Sequence, residues 1–354
     1  MSKPIIIHFI YDLGLGGAEK MLVNSIDLLN DYDHILVLLN NKCRFIKIPF
    51  LKIYCLNCPS TLHIPLAVIK LRKIINQNKP AIVHSHLPLP NIIARFATPS
   101  KITLFASIHT MVSKSIAYTK LHIKWLEKFS VSIRRCTYIF VSETVKKDYE
   151  TFFGIKSKES VVLYTYAIKN HAQINKLRVK EKLRMVTLGI KKSKNTEFLL
   201  ECLYQLNDHR IELDIYGDGT IPKNFYKIKN ANLPVYYKGL VADVEKLFSN
   251  YDYYISASKF EGFSLSVLEA MAQKLTLILS DIPSFREQSN DAASFFALKD
   301  LNSLKEILIR AIDHPDESIA LAEKGFNRFS ENFTLEHYVR NLVSIYDSVI
   351  TCKS

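Results

Sequence analysis

Residues 253–272 read YYISASKFEGFSLSVLEAMA, and this stretch predicts a strand, a turn and a helix in direct succession. The apolar run Tyr253–Ser256 has the length of a buried parallel strand. A turn that contains Gly262 follows, and a helix is expected over Leu265–Ala272. The stretch therefore predicts half of a βαβ unit, with its turn at the carboxyl end of the strand.

The same alternation continues on both sides of this stretch. The other expected strands are Ile5–Ile10, His34–Leu39, Ala81–His84, Thr103–Ile108, Tyr138–Ser142, Met185–Leu188, Glu212–Tyr216, Val235–Tyr237 and Thr276–Leu279. Between them, helices are expected from Ala18 to about Leu29 and over Leu66–Ile75, Thr196–Leu206, Val244–Ser249 and Leu301–Ile312. Strands that alternate with helices in this way form parallel sheets covered by helices.

The chain is therefore predicted to be an α/β protein with two doubly wound, Rossmann-like domains. The first domain is expected at 1–168 and the second at 183–330, joined by a polar, basic linker at 169–182. The tail 331–354 predicts an amphipathic helix, and its return to the first domain is left open. Two such domains facing each other would place a ligand cleft between the carboxyl ends of their sheets.

The excess of positive over negative charge lies in the first half of the chain. The net charge is +13, and residues 1–175 hold 23 Lys and Arg against 10 Asp and Glu. This asymmetry indicates that the first half meets something acidic, and nucleic acid, anionic lipid or a phosphorylated substrate all fit the charge. No nucleic-acid module is recognised, so nucleic acid is the least favoured of the three.

Several sequence features that would indicate a membrane span, a leader or a metal site are missing or isolated. The sequence has no apolar run of 18 residues, and the run at its N-terminus is too short for a signal peptide, so neither a transmembrane helix nor a leader is expected. Cys55 and Cys58 form a lone C-x-x-C and are interpreted as incidental thiols. Asp31 and Asp33 form a chance D-x-D, to which no metal is assigned.

Two glycine-containing turns carry the candidate chemistry. The first, Leu13–Glu19, follows a strand and precedes a helix, so its backbone could approach a phosphate, although a purely structural turn fits equally well. In the second, Glu261 precedes a helix and Glu269 lies inside it. Carboxylates suit sugar or ribose hydroxyls, and the amides of 263–265 suit phosphate or sugar oxygens. A capped helix with a solvated glutamate remains the alternative.

Glu261 and Glu269 are separated by seven residues, of which the first three are Gly262-Phe263-Ser264. This spacing resembles the E-x7-E motif of retaining GT-B glycosyltransferases of family 4. Other segments occur in the family's order. They are Gly14–Glu19, His84–His86, Ser107–His109, Ser142, Lys194-Asn195, Asp214–Gly219, Gly239–Val241 with Asp243-Val244, and Ser280–Glu287. The resemblance spans nearly the whole chain and implies the GT-B fold, which is two Rossmann-like domains around a central cleft.

The resemblance also implies roles for individual residues. The implied catalytic residues are His109, Lys194 and Glu261. The implied donor-binding residues are Gly16, Gly17, Lys192, Lys194, Gly217, Val241, Glu261, Gly262, Phe263, Ser264, Leu265 and Glu269. Lys194 would neutralise the departing diphosphate, Glu261 would hold the donor sugar and Glu269 the ribose. Helix N-termini and cations would serve in place of a metal, so neither a metal nor a cofactor is expected, and front-side attack would retain the configuration. His84 and His86 are interpreted as structural.

Two positions depart from the family's pattern. Ile190 follows Gly189 where the family has an arginine, and Lys191 or Lys192 could supply the second cation. The element that is usually Y-N-G reads Tyr164–Tyr166 as Tyr-Thr-Tyr. Both departures leave open an altered donor preference or a relative without catalytic activity.

The segment 112–135 is basic and rich in apolar side chains. Lys120, Lys124 and Lys128 alternate with apolar residues that include Trp125, the one tryptophan of the chain. Such a helix is typical of an interfacial membrane element, and an ordinary amphipathic helix packed on its own domain is the alternative. We expect contact of Lys120, Lys124, Trp125 and Lys128 with an anionic membrane surface.

The sequence thus predicts transfer of a sugar from a nucleotide sugar, with UDP as the expected nucleotide, to a glycan or lipid-linked glycan in surface polysaccharide synthesis, such as O-antigen, capsule or lipopolysaccharide. The enzyme would be cytoplasmic and bound peripherally to the inner face of the cytoplasmic membrane. Two alternatives stay open, a sugar-nucleotide epimerase of related fold and a catalytically weak partner subunit of another transferase.

Overall fold

A computed structural model describes residues 3–14, 16–45, 49–156, 159–168, 182–241 and 243–350. The chain forms two compact units. The first comprises the chain up to Thr165 together with the segment from Leu335 onward, and the second comprises Tyr166–Thr334. The expected linker at 169–182 lies, apart from Lys182, outside the described residues.

The first unit has a sheet of seven parallel strands. The strands are β1 (Ile5–Ile10), β2 (Asp33–Leu38), β3 (Lys52–Cys55), β4 (Ile82–His86), β5 (Thr103–Ile108), β6 (Thr137–Phe140) and β7 (Ser160–Val162), in the spatial order β3-β2-β1-β4-β5-β6-β7. Its helices include α1 (Gly17–Ile26), α2 (Ile64–Asn78), α3 (Pro88–Ala97), α4 (Leu121–Ile133) and α5 (Glu143–Phe153). The central strands β1 and β4 are buried almost throughout, as their apolar runs predict.

The second unit repeats this plan with six parallel strands. The strands are β8 (Leu183–Leu188), β9 (Ile211–Tyr216), β10 (Val235–Gly239), β11 (Tyr253–Ser256), β12 (Thr276–Ser280) and β13 (Ser294–Phe296), in the order β10-β9-β8-β11-β12-β13. The helices are α6 (Thr196–Leu206), α7 (Phe225–Asn230), α8 (Val244–Phe248), α9 (Leu265–Ala272), α10 (Pro283–Ser289), α11 (Leu301–Asp313) and α12 (Pro315–Asn332). In both sheets the strand order reverses beside the first strand, which is the doubly wound arrangement that the sequence predicts.

The last helix, α13 (Leu335–Ile350), packs on the first unit although it follows the second in the chain. Tyr346 is fully buried, and its hydroxyl lies 2.6 Å from His84 Nδ1 on β4. The hydroxyl of Tyr32 donates a 2.6 Å hydrogen bond to Asp347 on the same helix. Polar contacts as well as apolar packing therefore fix α13 on this unit.

Sequence patterns locate most of these elements within one or two residues of their observed ends. Ser142 caps α5, because its hydroxyl accepts a hydrogen bond from the Val145 amide. The exceptions are α3, α7, α10, α12, β3, β7 and β13, which the sequence pattern does not distinguish from loops. Helix α3 begins in Leu87-Pro88-Leu89-Pro90, where prolines that suggest a loop occupy the first helical turn.

Candidate active site

Two glycine turns in the second unit pack backbone against backbone beside the ends of β8 and β9. Gly189 and Gly217 have φ values of +92° and +148°, which favour glycine. A Cβ placed on Gly217 would lie 2.9 Å from the Gly189 Cα, so a side chain there would force the turns apart. Gly217, a predicted donor contact, therefore holds the two turns together at the carboxyl edge of the sheet.

Lys194 and Glu261 form an ion pair at this edge of the second unit. Lys194 Nζ lies 2.7 Å from Glu261 Oε1, and the Ser258 hydroxyl donates a second 2.7 Å hydrogen bond to the same oxygen. Burial alone would lower the pKa of Lys194, but the charge and hydrogen bond of Glu261 together with the Tyr254 hydroxyl outweigh burial and raise that pKa above its usual value. The structure thus brings together two residues, 67 positions apart, that the resemblance assigns to catalysis.

This pair remains accessible. The side chains of Lys194 and Glu261 expose 24% and 18% of their surface. The Lys259 amide donates a 2.8 Å hydrogen bond to the Ser193 carbonyl, which ties the two loops that carry the pair. A ligand can therefore compete for the lysine without unfolding the loops.

The turn before α9 is fixed by a glutamine that the sequence analysis missed. The Ser264 amide donates a 3.1 Å hydrogen bond to Gln288 Oε1, and Gln288 Nε2 donates a 2.8 Å bond to the Ser264 carbonyl. Gln288 is fully buried on α10. The Ser264 N–H, which the resemblance assigns to the donor sugar, is thus already hydrogen-bonded to Gln288. Its contact with the sugar stays a prediction. No sequence spacing links position 288 to this turn.

Glu269 lies on α9, in the helix that this turn starts. Burial raises the pKa of Tyr254 on β11. The negative charges of Glu261 and Glu269 act in the same direction, whereas the positive charge of Lys194 opposes them. Gly262, Phe263 and Leu265 fill the positions between the two glutamates, so E-x7-E folds as one strand–turn–helix unit, as expected.

A cavity of about 580 Å³ lies in the second unit beside the loop that carries Lys194. Four lysines line it, namely Lys191, Lys192, Lys223 and Lys259, together with the N-terminal turn of α6. Lys191 and Lys192 are the two candidates for the second cation, whereas the sequence predicts no role for Lys223 or Lys259. Lysine side chains at a helix N-terminus favour an anionic ligand, and Glu197 in the first turn of α6 also lines the cavity.

Ile190, which stands where the family has an arginine, has a packing role. Its side chain is 7% exposed and lies against Gly219, since a Cβ on that glycine would be 3.1 Å from Ile190 Cγ1. The positive charge of this region therefore comes from the surrounding lysines. Val241, another predicted donor contact, follows β10 and is half-buried.

In the first unit, the glycine turn and His109 lie at the carboxyl ends of their strands. Gly16 precedes α1 and Gly17 begins it, and the Gly14 amide donates a 2.9 Å hydrogen bond to Asp12. His109 Nε2 lies 3.3 Å from His86 Nδ1, and desolvation lowers the pKa of His109 to about 4. His109 is therefore neutral near pH 7, able to accept or donate one proton.

Helix α4 is held to the first unit by a buried ion pair, and its outer side exposes apolar side chains. Glu127, the one acid in the helix, is fully buried and lies 2.8 Å from Arg95 on α3. Leu121 and Trp125 expose 82% and 62% of their surface, and Trp125 stacks on Phe129. Lys120 and Lys128 are exposed, whereas the Lys124 ammonium lies 3.9 Å from the Phe152 ring centroid. Of the expected membrane-contact lysines, two therefore lie on the outer face.

A search of the described helices finds none that is long and apolar enough to cross a membrane.

Residues 16–165 match the family model described as Glycosyltransferase Family 4, and residues 182–314 match the model described as Glycosyl transferases group 1. The chain is 26% identical to N-acetylgalactosamine-N,N'-diacetylbacillosaminyl-diphospho-undecaprenol 4-alpha-N-acetylgalactosaminyltransferase of Campylobacter jejuni, over 77% of this chain and 80% of that protein. It is 23% identical to UDP-Gal:alpha-D-GlcNAc-diphosphoundecaprenol alpha-1,3-galactosyltransferase of Escherichia coli, over 81% and 80%.

Among solved structures, Anabaena HepE in complex with UDP and glucose superposes with a TM-score of 0.78, covering 98% of this chain and 100% of that one at 15% identity. The lipopolysaccharide outer core galactosyltransferase WaaB superposes with a TM-score of 0.71 at 17% identity, covering 99% and 100%. At these identities the likeness shows the fold, which is the predicted GT-B class.

Proposed function

We propose that this chain, a glycosyltransferase that carries both family domains, moves one sugar from a nucleotide sugar to a glycan on a lipid diphosphate carrier. The relatives matched over about four-fifths of their length are named as transferases acting on diphospho-undecaprenol substrates. Shorter matches are to proteins named for O-antigen and lipopolysaccharide core synthesis. The product would be a surface polysaccharide, built at the inner face of the cytoplasmic membrane.

The accessible Lys194–Glu261 pair beside the lysine-lined cavity is the observation that carries this proposal. A nucleoside diphosphate leaving group gains negative charge as the glycosidic bond breaks, and a preorganised ammonium group stabilises that charge. Lys194 is held in place by Glu261 before a donor binds, so it needs little rearrangement. Binding would let Lys194 turn towards the diphosphate while Glu261 accepts hydrogen bonds from the sugar hydroxyls.

The remaining predicted residues complete this mechanism. Lys192 would share the diphosphate charge, and Glu269 would hold the ribose. Neutral His109 would lie beside the transferred sugar. The sugar would keep its anomeric configuration through front-side attack. UDP is the proposed nucleotide, supported by the fold shared with a UDP complex and by a relative named for a UDP-linked donor. A paired-carboxylate glycosidase mechanism is not proposed, because the resemblance implies front-side attack with Glu261 and Glu269 as binding groups.

The outer face of α4 is the proposed membrane contact. Trp125 and Leu121 offer apolar side chains for the headgroup boundary, and Lys120 and Lys128 offer positive charge to anionic lipid. Because Glu127 is buried, no acid of the helix opposes that attraction. Contact of this face would bring the enzyme to an acceptor that cannot leave the membrane.

Thermal stabilisation by nucleotides tests the donor site. The unfolding temperature is measured with UDP, GDP, CDP and dTDP, where a ligand at 100 times its Kd adds about 2.7 kcal/mol. We expect a shift with UDP that Glu269→Ala reduces, because a hydrogen bond to a charged group contributes about 1.5–3 kcal/mol. Glu323→Ala, which removes an exposed carboxylate from the same unit, should leave the shift intact. An equal shift for Glu269→Ala would remove this residue from the ribose role.

Vesicle sedimentation tests the membrane contact. The double variant Lys120→Glu/Lys128→Glu should bind phosphatidylglycerol vesicles at least about tenfold more weakly, since each basic residue near the surface contributes about 1 kcal/mol. The control Lys229→Glu/Lys299→Glu makes the same change in net charge on exposed residues of the second unit. Equal binding by the two double variants would show that α4 is not the contact.

The two alternative functions have distinct signatures. A sugar-nucleotide epimerase would convert its substrate without an acceptor, and a partner subunit would bind nucleotide without turnover. The epimerase is not favoured, because the full-length relatives are named as transferases.

A further inference from the structure

Five imidazoles form a continuous row across the first sheet. They are His34 on β2, His8 on β1, His84 and His86 on β4, and His109 after β5. His8 pairs with His84 in the strand register, and the rings of His84 and His86 lie 4.2 Å apart between centroids. The His8 ring lies 5.9 Å from each of these two rings. His8, His84 and His86 are all buried, and we call these three the histidine cluster.

Hydrogen bonding fixes the tautomer of His8. His34 Nε2 lies 3.0 Å from the Leu29 carbonyl oxygen, which can only accept, so this nitrogen carries the proton. Neutral His34 therefore presents a lone pair at Nδ1, to which His8 Nε2 donates across 3.0 Å. His8 Nδ1 is then left with a lone pair. It is buried and has no hydrogen-bond partner among the described residues.

The other two members of the cluster are held in a comparable way. His86 Nδ1 faces His109 Nε2 at 3.3 Å, while His86 Nε2 is buried and has no partner within the described part of the chain. His84 contacts two hydroxyls, Tyr346 at 2.6 Å and Ser107 at 2.7 Å. Hydroxyl groups rotate, so His84 can release one of these contacts and keep the other.

We propose that His8, His84 and His86 bind a divalent transition-metal ion, with zinc as the ion that the ligand set favours. One ring nitrogen from each residue lies within 4.8 Å of those of the other two. Zinc–nitrogen bonds of about 2.0–2.1 Å bring ligand nitrogens to roughly 3.3 Å from one another, so side-chain shifts of about 1 Å complete the site. His8 Nδ1 and His86 Nε2 supply two of the ligands, and water supplies the fourth.

Two further features suit a metal. Metal-bound histidines usually have the second ring nitrogen held by an outer partner, and here His34, His109 and a hydroxyl fill that role. Burial lowers the pKa of all three imidazoles, so each is neutral at pH 7, the form that binds metal.

Metal analysis of the full chain tests this site. The protein is stripped with a chelator, incubated with ZnCl2, desalted and assayed for zinc by mass spectrometry, and its cobalt form is examined for the visible absorption of tetrahedral Co²⁺. We expect about one zinc per chain and a higher unfolding temperature with zinc than with Mg²⁺. His86→Gln should lose at least tenfold in zinc affinity, and His63→Gln, which changes an exposed histidine outside the cluster, should not.

The measured zinc content and zinc affinity do not depend on transferase activity. Circular dichroism and UDP binding establish that each variant is folded, and His8→Gln serves if His86→Gln is not. Less than about a tenth of a zinc per chain in the unmodified protein would overturn the proposal. Equal zinc content in unmodified protein, His86→Gln and His8→Gln would overturn it as well.

Discussion

Each unit contains a cation–carboxylate pair of nearly the same length in a different environment. Arg95 and Glu127 in the first unit lie 2.8 Å apart with both side chains fully buried. Lys194 and Glu261 in the second unit lie 2.7 Å apart with roughly a fifth of each side chain exposed. The two pairs have nearly the same separation and differ in how deeply their side chains are buried.

Their hydrogen-bond partners differ as well. The hydroxyls of Tyr118 and Tyr149 donate to Glu127 at 3.2 and 2.7 Å, and Arg95 donates to Ser130 at 3.0 Å. This network holds α4 against α3, and a ligand cannot enter it without opening the fold. The second pair is partly exposed, so a phosphate can reach the lysine and compete with Glu261 for it. Comparable contacts thus stabilise the fold in the first unit and, under the proposed function, serve the reaction in the second.

The largest expected effect is on the buried pair. Glu127→Ala leaves Arg95 buried without its counter-charge and should lower the free energy of unfolding by about 3–5 kcal/mol. Urea denaturation measures this loss. Glu317→Ala removes the exposed partner of Arg310, and this control should leave stability nearly unchanged. A loss below about 1 kcal/mol for Glu127→Ala would break the comparison, because the buried pair would then behave like a surface pair.

The second effect is on turnover. Lys194→Ala should lower kcat/KM about 100-fold, in the range found when one transition-state hydrogen-bond donor is removed, while the free energy of unfolding changes by less than about 1 kcal/mol. Lys274→Ala breaks a 2.7 Å pair with Glu323 elsewhere in the second unit and should leave turnover unchanged. Wild-type kcat/KM in Lys194→Ala would mean that this pair, too, is structural.

The smallest expected effect is on nucleotide binding, through a lysine that lines the cavity. Lys259→Ala should weaken UDP binding by up to about fivefold, because a partly solvated charge contributes roughly 0.2–1 kcal/mol. Isothermal titration calorimetry measures the change, and Lys229→Ala, an exposed lysine that does not line the cavity, is the control. An effect as large as that of Lys194→Ala would show that the charge of the cavity, rather than one positioned lysine, governs the donor.

The spacing of apolar residues predicted much of the fold, because most strands and helices of this chain follow the regular spacing of their type. The bounds of β11, α9 and α6 agree with the runs Tyr253–Ser256, Leu265–Ala272 and Thr196–Leu206. Pattern failed where local signals conflict, as in the proline-rich start of α3, or where an element is short and at a sheet edge, as in β13. Spacing likewise predicted the E-x7-E turn but not its clamp by Gln288, which comes from another helix.

The sequence by itself determined the two doubly wound units, the motif that identifies the transferase family domains and the basic, aromatic character of α4. Each of these depends on residues close together in the chain, where period and spacing are informative. Tertiary structure alone decided that Glu127 is buried on Arg95, that Ile190 packs under Gly219 and that α13 covers the histidine cluster through Tyr346. Those contacts join residues far apart in the chain, and only the packed fold sets which charges meet and which remain open to a ligand.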